Sequence, residues 1–129
     1  MLENGRTLQL EVAGNEGLSR IWVSGLRDFA GLAPIDKARF VLVVHCYFKT
    51  MESLVLAYRD GYAKRELYEP TILNLSDFIA YPGMQDAWEL RKRYFHEALR
   101  KLVDDKISAA RSGKASVSLY REEQTKVPE

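Results

Sequence analysis

One cysteine, Cys46, is all the chain holds among its 129 residues. An intramolecular disulfide and a cysteine-rich zinc site are therefore excluded. Free cysteine also fits a reducing compartment, so a cytoplasmic location is expected. Histidine is nearly as scarce, with His45 and His96 the only two. Zinc draws on three or four side chains, so a metal centre would have to gather both histidines with a carboxylate such as Glu52 across helices. No metal or other cofactor is expected. Charge of one sign is lacking too: 19 basic against 18 acidic residues leave a net charge of +1. No overall field draws the chain to nucleic acid or to an acidic membrane.

Long apolar runs are also missing. The longest, Phe40 to Val44, has five residues, whereas a transmembrane helix needs about 20. The first twenty residues carry Glu3, Asn4, Arg6, Glu11, Asn15, Glu16 and Arg20, too polar for a signal-peptide core. No membrane span is expected. The chain has no G-x-S-x-G, P-loop, G-x-G-x-x-G or H-E-x-x-H sequence. It carries no catalytic motif, and no enzymatic activity is expected. Strand-like alternation is confined to a weak SVSLY at residues 116–120.

Helical patterning is what the chain does have. Leu18, Ile21, Trp22, Leu26 and Phe29 recur three or four apart, with Asn15 placed as an N-cap and Gly31 as a stop. Pro34 then suits a first helical position, and Asp36 meets the positive end of the helix dipole. A long helix is predicted from Pro34 to about Asp60, with Gly61 just past its end. A third helix should cover about Lys64 to Ala80, kinked at Pro70 or starting just before it. Tyr81-Pro82-Gly83 breaks the chain. A fourth helical region runs from Met84 to about Arg111, bending near His96, with Gly113 as its cap. Residues 1–113 read as one all-α domain, its first fourteen residues a loose arm or short helix. Residues 114–129 read as a mobile tail. The fold class is an antiparallel bundle of four or five helices around the long central helix at about 34–60.

That central helix is the most site-like stretch. Phe40, Val44, Tyr47, Met51, Leu54 and Tyr58 step alternately four and three residues, as a packed seam does. Val41, His45, Phe48, Glu52, Val55 and Arg59 make a second file, and Leu42 and Leu56 fall on a third face. Three apolar faces predict a helix enclosed by others. His45, Glu52 and Arg59 stack at seven-residue intervals, about 10 Å apart along the axis, too far to bond to one another. They are the candidates for a small-ligand pocket. The blander reading joins Glu52 to Arg39 and Arg91 in a structural polar cluster, since a carboxylate is costly to bury alone. Cys46 and His45 point about 100° apart as adjacent helical residues, which makes a nucleophile–base pair unworkable. The basic run Arg91-Lys92-Arg93-Tyr94 is interspersed with Glu89, Glu97, Asp104 and Asp105, the pattern of a solvated face; no nucleic acid is expected.

The order of Trp22, Gly25-Leu26, Arg39-Phe40, Phe48 with Glu52, Tyr58 with Gly61, Pro82-Gly83, Trp88, Arg91 and Phe95 resembles an uncharacterised family of bacterial α-helical proteins. The resemblance spans about residues 18 to 107, with Tyr68 standing where a tryptophan is usual. It implies an α-helical domain and offers no catalytic residue. Members often bear an N-terminal membrane anchor, which these residues do not show. The expected function is a non-enzymatic interaction module that associates with itself or another protein. Tyr47, Tyr62, Tyr68, Tyr81, Tyr94 and Tyr120 are its candidate interface. A small-ligand-binding or sensory domain with a polar pocket near Glu52 is the alternative.

Overall fold

The computed structural model describes residues 10 and 13–113. The expected tail at 114–129, Tyr120 and most of the expected N-terminal arm lie outside the described residues, although Leu10, Ala13 and Gly14 are helical. From Asn15 onward the described chain is helical, and it contains no strand. Its helices are α1 (Glu16–Arg27), α2 (Pro34–Arg59), α3 (Arg65–Phe78), α4 (Pro82–Arg91) and α5 (Glu97–Arg111), with a turn of 3-10 helix at Lys92–Tyr94 between the last two.

Local chemistry sets these boundaries. The Asn15 carboxamide accepts from the Leu18 N–H at 2.9 Å and caps α1. Beyond α1, the Asp28 carboxylate accepts from the Gly31 N–H at 3.1 Å and turns the chain toward Pro34. Pro34 opens α2 with Asp36 in its first turn. At the far end Tyr62 N–H donates to Ala57 C=O at 2.7 Å and Gly61 N–H to Tyr58 C=O at 3.2 Å. This is a Schellman motif, and Gly61 supplies the required positive φ of 83°. The third helix runs through Pro70 instead of starting at it. Pro70 sits one turn and a half from the start, so its missing N–H frees only the Glu66 carbonyl, close to the helix start.

The central helix packs against all four others. Its residues Phe40, Val44, Phe48, Met51, Leu54 and Val55 are buried. Around them lie Leu26 of α1, Ile72 and Leu75 of α3, Met84, Ala87 and Trp88 of α4, Phe95, and Leu99, Val103 and Ile107 of α5. The buried line therefore leans from the expected seam toward Phe48 and Val55, while Tyr47 and Tyr58 sit at its edge. The third face is not enclosed as expected: Leu42 is 64% exposed and Leu56 only partly buried. Four short helices cover the buried arc of α2 and leave an open strip. By length and mean hydropathy (1.5) α2 would also suffice to cross a bilayer. A core helix bearing six buried apolar residues accounts for the same composition.

Two joints fix the bundle. The first is aromatic: Trp88 lies 4.7 Å from Phe48 and 5.5 Å from Phe95, centroid to centroid. Trp88 is fully buried, and its indole N–H donates to Asp104 of α5 at 2.9 Å. The second is backbone against backbone, where α1 meets α4. A Cβ on Gly83 would overlap the carbonyl of Gly25, and a Cβ on Gly25 would overlap the Phe40 ring. Hydrogen at Gly83 permits the approach of α4 to α1, and hydrogen at Gly25 makes room for the Phe40 ring of α2.

The region expected as one bent helix over 84–111 is two helices. Phe95 is extended at φ −116°, ψ 157°, and His96 at φ −63°, ψ 147°. His96 starts α5 as its N-cap, its ring Nδ1 accepting from the Ala98 N–H at 2.9 Å. The break turns Phe95 into the core. Among the candidate interface tyrosines, Tyr81 is only 3% exposed and belongs to the core.

Candidate functional site

The polar residues of α2 meet the junction between α4 and α5. Glu52 is largely buried, its side chain 16% exposed. One carboxylate oxygen accepts from the His96 backbone N–H at 2.6 Å, and the other from Lys49 Nζ at 3.2 Å. Lys49 also donates to the Tyr94 carbonyl at 3.1 Å and lies 4.6 Å from the Phe95 ring centroid. Glu52 and Lys49 thus hold three successive residues, 94–96, against α2. A charge-assisted bond to the N–H of a helix cap is among the stronger hydrogen bonds.

One turn earlier, Arg91 Nε donates to His45 Nδ1 at 3.2 Å. The His45 ring packs 5.1 Å from Phe95 and 6.4 Å from Tyr94. Burial holds the His45 pKa below its ordinary value, helped by the positive charges of Arg91 and Lys49 and opposed by Glu52. A histidine accepting at Nδ1 is neutral and carries its proton on Nε2. Arg91 and Arg93 both lie on the Tyr94 ring, their guanidinium carbons 4.4 Å and 4.9 Å from its centroid. Arg93 also donates to the Tyr94 hydroxyl at 2.9 Å.

The candidates of the ligand triad are not gathered together. His45 and Glu52 face the same junction, whereas Arg59 pairs with its neighbour Asp60 at 3.2 Å at the end of α2. The expected cluster of Arg39, Glu52 and Arg91 takes a different form. Arg39 is exposed and pairs with Asp36 at 3.8 Å. Arg91 bonds His45, and the partners of Glu52 are a lysine and a backbone N–H. The reason is reach: Arg39 sits more than three turns from Glu52 on the same helix, about 20 Å along the axis. Lys49 is not among the expected partners of Glu52, although a lysine three residues before a glutamate on a helix is a readable pairing signal. His96, a metal-ligand candidate in the sequence, turns its Nδ1 to a backbone N–H. Among the described residues no three metal-ligating side chains converge.

A second polar contact joins α2 to α3. The Tyr47 hydroxyl donates to the Asn74 carboxamide at 3.0 Å. Burial, with Asp77 nearby, pushes the Tyr47 pKa upward, so the phenol stays a donor. One Asp77 oxygen is buried without a hydrogen-bond partner.

The open strip of α2 is the remaining feature. Ile35 is 63% exposed, and Ala38 and Cys46 share that side with Leu42. No family model, curated protein or solved structure matches the chain.

Proposed function

We propose that the chain is a non-enzymatic helical interaction module that associates with a second copy of itself through the open strip of α2. The observation that carries this reading is the exposure of Ile35 and Leu42 on the helix that every other helix packs against. They stand two turns apart, about 10 Å, on one face. Ala38 between them lets another helix come close. Exposed Arg39 and Lys49 border the strip, as charged rims border apolar contacts. An antiparallel pair related by a two-fold axis near Leu42 brings Ala38 of one copy opposite Cys46 of the other.

The strip is narrow, so the dimer is expected to be weak, at the small end of specific interfaces. Sedimentation velocity over rising concentration should show a monomer–dimer equilibrium in the tens of micromolar. Leu42→Glu should shift it toward monomer by about tenfold or more, with little change in the monomer's melting temperature because Leu42 is 64% exposed. A chain that stays monomeric throughout would overturn the proposal. The alternative, a ligand pocket at Glu52, has less support, since both oxygens of that carboxylate already have protein donors.

A further inference from the structure

The α4–α5 junction holds two arginines outside its ion pairs, which the self-association reading does not use. Lys92 is matched by Glu89 at 3.2 Å and by Asp104 at 3.9 Å. Lys49 is matched by Glu52. Arg91 and Arg93 differ: among the described residues neither has a carboxylate within ion-pair distance, and each is anchored by a neutral acceptor. For Arg91 that acceptor is the His45 imidazole, and for Arg93 the Tyr94 hydroxyl. Both guanidiniums lie on one phenol ring. Two like charges are thus held at fixed positions by contacts that orient without neutralising them.

We infer that Arg91, Arg93 and Tyr94 form a binding site for a phosphate-class oxyanion, inorganic phosphate or a phosphomonoester. The chemistry selects this class. Arg91 uses Nε on His45 and keeps both terminal nitrogens for an anion. Arg93 gives one terminal nitrogen to Tyr94 and keeps its others. The Tyr94 hydroxyl accepts from Arg93 and retains its proton to donate. A planar carboxylate satisfies one guanidinium fork, whereas a tetrahedral phosphate has oxygens enough for two forks and a hydroxyl. Its charge of about −1.5 to −2 near neutral pH matches two guanidiniums. The lowered pKa of Tyr94, caused by its hydrogen bond from Arg93 and the Arg93 and Arg91 charges, reports the same positive field.

The test is a titration of the full chain with inorganic phosphate at low ionic strength, with chloride at matched ionic strength as control. Arginine Nε–H signals and the amides of residues 91–96 are followed by NMR. Saturable shifts confined to Arg91, Arg93 and their neighbours, and absent with chloride, are expected. Arg93→Gln removes an exposed side chain whose hydrogen bond and ring contact are both with Tyr94, so the fold should persist while affinity falls by about tenfold or more. Arg91→Lys should weaken binding too, because a point charge cannot replace the fork. Phosphomonoester binding in place of inorganic phosphate would identify the source of the anion and uphold the site. Equal shifts at Arg20, Arg39 and Arg65, equal shifts with chloride, or unchanged affinity in Arg93→Gln would each overturn it.

Discussion

The α1–α4 contact and the α2 contact with the α4–α5 junction close the same bundle by opposite means. The first works by subtraction. Gly83 carries no side chain, so its backbone meets that of Gly25 and Leu26, and nothing polar is needed to specify the distance. The second works by addition. Glu52, Lys49, His45 and Arg91 supply donors and acceptors that match a broken stretch of backbone. A backbone-to-backbone joint has little room to adjust, because a Cβ on Gly83 overlaps main-chain atoms. A hydrogen-bonded joint can lose one bond and keep the others, so it should yield in smaller steps.

The sharpest way to break this contrast is Gly83→Ala. The new Cβ meets a carbonyl and the backbone of Leu26 in place of a flexible side-chain end, so α1 and α4 must separate. A loss of about 3 kcal/mol or more is expected by denaturant unfolding. Gly25→Ala should cost somewhat less, about 2–3 kcal/mol, since the Phe40 ring it meets has some freedom to tilt. Should Gly83→Ala unfold within about 1 kcal/mol of the wild type, the helices are not in the contact described.

The polar joint should give way less. Glu52→Ala strips one acceptor from the His96 N–H and one from Lys49. About 1.5–3 kcal/mol is expected, the range for a hydrogen bond to a charged group. Glu52→Gln keeps an oxygen for the N–H and should lose less than half of that. The more specific readout is amide exchange: His96, Glu97 and Ala98 should open faster in Glu52→Ala while α1 amides stay protected. Uniformly faster exchange would mean that Glu52 supports the whole bundle and not this joint.

These two joints also differ in how far the sequence discloses them. The capping residues Asn15, Pro34 and Gly61 act on their own chain neighbours, so they mark their helices correctly without any tertiary knowledge. The length of α2 and the all-α class follow from such local signals. The break at Phe95–His96 does not. Histidine is not a favoured N-cap, and the apolar spacing continues smoothly through it. At the break a carboxylate 44 residues earlier takes the His96 N–H. The Gly25–Gly83 contact is equally hidden, because a glycine in a helix looks like a weakness until the opposing backbone is known. The third face of α2 stands open against expectation for a related reason. Periodicity reports which residues share a side, and the tertiary packing of the neighbouring helices decides whether that side is covered.

Acidity offers the gentlest probe of the polar joint. His45 has a folded pKa below its ordinary 6.5, so the unfolded chain binds a proton more readily than the native one. Stability is then complete above that ordinary value and declines as pH falls toward the folded value. Protonation also converts Nδ1 from an acceptor into a donor facing the Arg91 guanidinium, so the bond is replaced by repulsion. Since the ring is partly solvated, the effect should be smaller than that of Glu52→Ala. Urea unfolding at pH about 8 and about 5.5 should show the wild type losing more stability than His45→Gln. The substituted carboxamide retains an oxygen acceptor for Arg91 but cannot take the proton in that range. Identical pH profiles for the two proteins would mean that His45 titrates alike in both states, and the Arg91 bond would then add nothing to the joint.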